Sequence, residues 1–133
     1  MESTFRRVTM LHSSPVVAVV AVADLDRGKE FFGGTLGLKE SGVDEPGGVL
    51  YLCGGNTQLL VYQSNFAGKN QATAAAWQVA DLDAEVSALR SRGITFERYD
   101  MPGVTREGDV HSFGNRRAAW FKDPEGNILN LVT

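Results

Sequence analysis

The sequence predicts an α+β chain of two tandem β-α-β-β-β modules that roll mixed sheets around a cavity. Three observations carry this. Val22-Ala23-Asp24-Leu25-Asp26 returns 57 positions later as Val79-Ala80-Asp81-Leu82-Asp83. Each copy follows a short apolar run and precedes an amphipathic segment. After each segment come a glycine and then three short strand-like stretches, the last two joined by a turn that contains Gly and Asn.

Module one spans about 15–63. It opens with the apolar run Val16–Ala21, which reads as a strand. Leu25–Leu36 reads as a helix whose bulky apolar residues are Phe31 and Phe32. Asp24 is placed as its N-cap, with Asp26 two residues on to suit the helix dipole, and Gly37 is its stop. Leu38-Lys39-Glu40, Val49–Cys53 and Gln58–Gln63 read as the remaining strands, with a Gly-Gly-Asn turn between the last two. A polar linker, about 64–73, leads to module two, about 74–132. Here Ala74–Gln78 is the first strand and Asp81 the N-cap. Leu82, Val86 and Leu89 fall at i, i+4 and i+7 on one helix face, and Gly93 ends that helix. The strands Ile94–Arg98, Ala118–Lys122 and Ile128–Val132 follow. Asp123-Pro124-Glu125-Gly126-Asn127 is strong turn chemistry, because proline presets φ and glycine accepts a positive φ. The stretch 99–116 reads as a long insertion, the kind that in compact domains forms a lid or stays disordered.

The bulk composition narrows the function. A chain of 133 residues fits one domain, 1–133, and buries a core without staples. A net charge of −3 leaves no basic excess, so nucleic acid is not an expected partner. The single cysteine, Cys53, cannot form an internal disulfide, and its apolar surroundings suit an inert buried thiol. Arg6 and Arg7 ahead of Val16–Ala23 superficially imitate a secretion signal. The run is only eight residues, and its recurrence later in the chain makes it structural. No run is long enough to span a bilayer, so a cytoplasmic protein without membrane contact is expected. Gly33-Gly34 and Gly47-Gly48 lack the spacing and lysine of a phosphate loop, and no Ser or Cys sits in a nucleophile elbow.

The strand ending in Val-Ala-Asp-Leu-Asp, the Phe-Phe helix, Leu36-Gly37-Leu38 and the C-terminal Trp120-Phe121-Lys122-Asp123-Pro124-Glu125-Gly126-Asn127-Ile128-Leu129 together resemble the vicinal oxygen chelate superfamily. That group includes glyoxalase I, extradiol dioxygenases, fosfomycin-resistance enzymes and bleomycin-resistance proteins. The resemblance covers roughly 15–132 and implies paired modules, each a half-barrel, commonly in a homodimer with the cavity shared between chains. Metal-dependent members carry His or Glu on the inward faces of the first and last strands of each module. The matching positions here are Val17, Leu60, Ala74 and Asn130. Val, Leu and Ala offer no lone pair, and one neutral amide is a poor anchor for a transition metal. No metal and no cofactor is therefore expected.

With those positions inward, strand alternation also turns Val19, Ala76, Gln78, Ile128 and Val132 inward. It does the same for Arg116, Ala118 and Trp120, for Val49 and Tyr51, and for Tyr62 beside Leu60. Val16, Ala18, Val20, Val22, Ala75, Trp77, Val79, Phe121, Leu129 and Leu131 are left to face the helices. Tyr51, Leu60, Tyr62, Gln78, Arg116, Trp120 and Asn130 are thus the candidate ligand-binding residues of a largely apolar site with aromatic walls. Asn130 and Gln78 are placed to bond one another, and Arg116-Arg117 to clamp an anion. His111, in a polar stretch, is the candidate acid or base, with Glu107 and Asp109 as weaker ones. Two functions fit: a metal-independent binder of an apolar or aromatic small molecule, or a metal-independent lyase, isomerase or hydrolase using His111. A metal enzyme with displaced ligands is a third.

Overall fold

The computed structural model describes residues 11–133; Arg6 and Arg7 lie outside them. Among the described residues, ten strands form two mixed sheets that remain open rather than closing into a barrel. In module one, β1 (Val17–Val22), β2 (Lys39–Glu40), β3 (Gly48–Leu52) and β4 (Gln58–Gln63) lie in the order β1-β4-β3-β2. In module two, β5 (Thr73–Gln78), β6 (Phe96–Glu97), β7 (Thr105–Glu107), β8 (Val110–Phe113), β9 (Arg116–Lys122) and β10 (Ile128–Val132) lie in the order β5-β10-β9-β8-β7, with β6 also on β9. First and last strands pair in parallel in both modules, β1 with β4 and β5 with β10. Each such pair needs a crossover, and the helix supplies it.

The two helices begin alike. The Asp24 side chain accepts the N–H of Arg27 and Asp81 that of Ala84, each at 3.1 Å. Capping of this kind contributes about 1 kcal/mol. They then diverge. α2 (Leu82–Ser91) is a regular helix that buries Leu82, Val86 and Leu89 and ends at Gly93, φ +93°. α1 (Leu25–Lys29) widens into a π-helical turn, Glu30–Thr35. The N–H of Leu36 reaches back five residues to Phe31 O at 2.9 Å. Gly33-Gly34 lies in this turn, where missing side chains ease the wider coil. The sequence expectation of one continuous α-helix is corrected there.

One core joins the modules. Phe32 and Phe121 are fully buried, and Phe31 packs edge-on to Phe32 at 5.2 Å and reaches Phe121 at 6.4 Å. Leu59 and Val61 of β4 join it, as do Val20, Val22, Ala75, Leu129 and Leu131, which belong to the helix-facing set that alternation predicts for β1, β5 and β10. Val16 is the exception: it precedes β1 and is 83% exposed.

The 99–116 stretch is neither a lid nor disordered. β7 and β8 form a hairpin that continues the second sheet, with Arg106 opposite His111 and His111 opposite Ala118. Among the described residues no helix is long and apolar enough to cross a membrane.

Candidate functional site

Each sheet has one face on the helices and one turned away from them. On the second sheet, register aligns Ala76, Asn130 and Trp120 in one row across this open face, and Val132, Ala118 and His111 in the next. Trp120 is half-buried and its indole N–H donates to Thr73 Oγ1 at 3.1 Å. Asn130 is buried; its amide N–H donates to Ala119 O at 3.2 Å, not to Gln78. Gln78 and Arg116 are exposed on the same face.

His111 is placed differently from its polar-loop reading. It lies on β8 and is wholly buried. Trp120 stands edge-on to its ring at 4.9 Å, and Tyr99 packs on both, at 5.9 Å from His111 and 5.6 Å from Trp120. His111 Nε2 accepts the main-chain N–H of Tyr99 at 2.9 Å. That bond needs the Nε2 lone pair, so the proton sits on Nδ1. Nδ1 is buried and has no partner among the described residues. The nitrogen that would act as a base is therefore occupied by main chain. Tyr99, which sequence reasoning passed over, is the third member of this aromatic group. Burial, with Glu97 nearby, pushes its phenol above the ordinary tyrosine range.

The other candidate charges are committed elsewhere. Asp109 is buried and accepts from Arg90 Nε at 2.8 Å and Arg98 Nε at 2.9 Å. Burial alone would raise its carboxyl, but the bonds and charges of Arg90 and Arg98 outweigh it and hold the group below the usual range. Glu107 is exposed. Arg117 pairs with Asp83 of α2 through two bonds, 2.8 and 3.2 Å. Adjacent strand residues face opposite ways, so Arg116 and Arg117 do not form one clamp.

Module one presents a simpler open face: Val17, Val19, Leu50, Leu60 and Tyr62. Val19 is 49% exposed, and Val17 and Tyr62 38% each. Leu60 pairs with Val19 as Asn130 pairs with Ala76, which fixes Leu60 as the counterpart of Asn130. Tyr51 and Val49 are corrected. Both lie on the helix face, opposite Leu59 and Val61, and Tyr51 packs against Phe32 at 6.4 Å. Leu50, opposite Leu60, is the inward residue and the counterpart of Trp120. The Tyr51 hydroxyl is buried with no partner among the described residues, and its pKa is raised by burial and then by Glu40.

The donors a divalent metal requires are not at the family's ligand positions. The Val17, Leu60 and Ala74 side chains have none, and Asn130 offers one neutral amide oxygen, its N–H being bonded to Ala119 O. Among the described residues no three His, Cys, Asp or Glu side chains converge elsewhere.

The family model for the glyoxalase/bleomycin resistance protein/dioxygenase superfamily matches residues 14–131. No curated protein matches the chain in sequence. Among solved structures, the chain is similar to a glyoxalase/bleomycin resistance protein from Streptomyces sp. CB03234 at 23% identity and TM-score 0.64, covering 90% of this chain and 100% of that one. TnmS3, an antibiotic binding protein from Streptomyces sp. CB03234, matches at 23% identity and TM-score 0.66, covering 92% and 97%. A lactoylglutathione lyase from Agrobacterium tumefaciens matches at 17% identity and TM-score 0.64, covering 90% and 92%. At these identities the likeness is one of fold.

Proposed function

Since the chain belongs to the glyoxalase/bleomycin resistance protein/dioxygenase superfamily, we propose that it is a metal-independent binding protein that holds an apolar or aromatic small molecule on the open faces of its sheets. The observation that carries this reading is the set Val17, Leu60, Ala74 and Asn130 at the metal-ligand positions, set beside Trp120 and Tyr99. An aromatic wall with few polar groups suits a flat apolar ligand. Leu60, Tyr62, Gln78 and Arg116 are the further contacts of this reading. Tyr51 is withdrawn from it, because its side chain lies in the core. The antibiotic binding of TnmS3 is one precedent on the same fold.

A lyase or isomerase using His111 is the less favoured reading, because its Nε2 is held by Tyr99. The exposed, mainly aliphatic face of module one suits cover by a second copy, so a homodimer is the assembly of this reading, in the cytoplasm. The test is a thermal-shift screen of apolar and aromatic metabolites and antibiotics, run with and without EDTA. Binding to the folded state raises the melting temperature by mass action. The reading expects hits whose shifts are unchanged by EDTA and lost in Trp120→Ala. Hits that require added metal, or that survive Trp120→Ala undiminished, would count against it.

A further inference from the structure

The first strand of module two is irregular where it borders Trp120. Thr73 of β5 pairs with Ile128 of β10 and Ala75 pairs with Leu129, so Ala74 is an extra residue between them. A bulge of this kind re-aims a side chain. From Ala75 onward the register is regular. Ala75 and Trp77 lie beside Leu129 and Leu131 on the helix side, and Ala76 and Gln78 beside Asn130 and Val132 on the open face. Unbroken alternation would turn Thr73 to the helix side with Ala75. The bulge sets it beside Ile128 instead, which shares the open face with Asn130. There Thr73 Oγ1 accepts the indole N–H of Trp120 at 3.1 Å.

Two kinds of contact therefore hold the indole. The rings of His111 and Tyr99 meet it at 4.9 and 5.6 Å, with interplanar angles of 87° and 75°. Such edge-to-face packing tolerates a range of placements. An N–H···O bond is directional and selects one of them. Module one has neither part of this device. Its β1 and β4 pair without interruption from Val17 and Gln58 to Val22 and Gln63, and Leu50 stands where module two has Trp120. An aliphatic side chain has no N–H for a hydroxyl to meet, so the bulge and the indole occur together.

We infer that Thr73 is a positioning residue for ligand binding: the bulge at Ala74 delivers its hydroxyl to the open face, where it presets the Trp120 indole as a wall for a flat aromatic ligand. This rests on the reading of that face as the binding surface. Thr73 acts through Trp120 and need not touch the ligand. With its N–H committed to Thr73, the indole offers a ligand its ring and no donor. The class of ligand it favours is then one recognised by stacking rather than by a hydrogen-bond acceptor. A wall ordered before binding avoids the entropy loss of ordering it on binding, which for one side chain is about three- to tenfold in affinity.

The test is titration of the full ¹⁵N-labelled chain with 2-naphthol, following the indole N–H signals of Trp120 and Trp77. In the wild type the Trp120 signal is expected to shift to saturation, and that of Trp77, on the helix side of β5, to stay in place. Thr73→Val keeps the branched shape at an exposed position but cannot accept a hydrogen bond. Its Trp120 indole N–H is expected to exchange with water faster, and its affinity for 2-naphthol to fall about three- to tenfold at an unchanged melting temperature. Thr73→Ser, which keeps the hydroxyl, is expected to recover most of that affinity. A purely structural role would lower the melting temperature and leave the affinity of the folded protein as it was. Undiminished affinity in Thr73→Val while 2-naphthol still shifts Trp120, or an equal loss in Thr73→Val and Thr73→Ser, would overturn the role of Thr73 and leave the open-face reading standing. A wild-type Trp120 signal that 2-naphthol does not move would overturn both.

Discussion

Leu50 of module one and Trp120 of module two stand at the same place in the repeat, each opposite the inward residue of its last strand, Leu60 and Asn130. One module keeps a mainly aliphatic open face with Tyr62 on it; the other packs an indole, a buried imidazole and a phenol together. The shared topology comes from what the repeat preserves: an aspartate cap, a glycine stop and helix-facing apolar residues. The divergence at Leu50 and Trp120 lies on a face that the topology does not constrain. The aromatic group of His111, Tyr99 and Trp120 therefore belongs to module two alone. The turns before the last strands differ too: Asp123–Asn127 carries Glu125, which accepts the N–H groups of Ala23 and Asp24 and pairs with Arg27, and the matching turn Cys53–Thr57 has Gly55 there.

The core half of this comparison is broken most severely at Phe121, the counterpart of Tyr51. Phe121→Ala is expected to cost about 3–5 kcal/mol, because the ring is fully buried against Phe31 and Phe96; urea denaturation measures it. A loss below 1 kcal/mol would mean that the two modules do not share one core.

Glu125→Gln comes next, at about 1–3 kcal/mol for weakened acceptors of two N–H groups and a lost ion pair. Its pH dependence sharpens the point. Burial alone would raise Glu125, but the N–H of Asp24, Arg27 and the N–H of Ala23 together hold its folded value below the ordinary glutamate range. A lowered folded value gives stability that is present above the unfolded value and lost as pH falls through the folded one. Asp109 acts in the same direction. Asp123 acts oppositely: burial raises it despite bonds from Asn127 and Glu125, so its contribution is greatest at low pH and declines as pH rises through its folded value. Glu125→Gln is thus expected to flatten the acid limb of the stability–pH curve. A limb of unchanged steepness would assign acid sensitivity elsewhere.

The smallest expected effect is Tyr51→Phe. It removes a buried hydroxyl that has no partner, so stability should hold or rise by up to about 1 kcal/mol. A clear loss would show that the hydroxyl has a bonding partner.

Much of this was legible in the sequence because it was written locally. The Asp24 and Asp81 caps, the glycine stops and the Asp-Pro-Glu-Gly-Asn turn each depend on a few adjacent residues. Tyr51 was misplaced for a physical reason. Val49-Leu50-Tyr51-Leu52 is apolar at every position, so alternation gives no phase, and only the pairing of β3 with β4 sets the face. The β7–β8 hairpin hid behind charged residues, since Thr105-Arg106-Glu107 forms an exposed edge strand with no apolar period. His111 looked solvated for the same reason; strands on both sides of β8 and the rings of Trp120 and Tyr99 enclose it. The contacts of Glu125 span about a hundred positions and leave no local trace.

The central claim is that the open faces bind without metal, and metal content tests it most directly. Protein purified without chelator, equilibrated with zinc, nickel, iron and manganese and then desalted, is measured by elemental analysis. Far less than one metal ion per chain is expected, because the Val17, Leu60 and Ala74 side chains have no donor atoms. One ion per chain, lost on substituting Asn130, would contradict it.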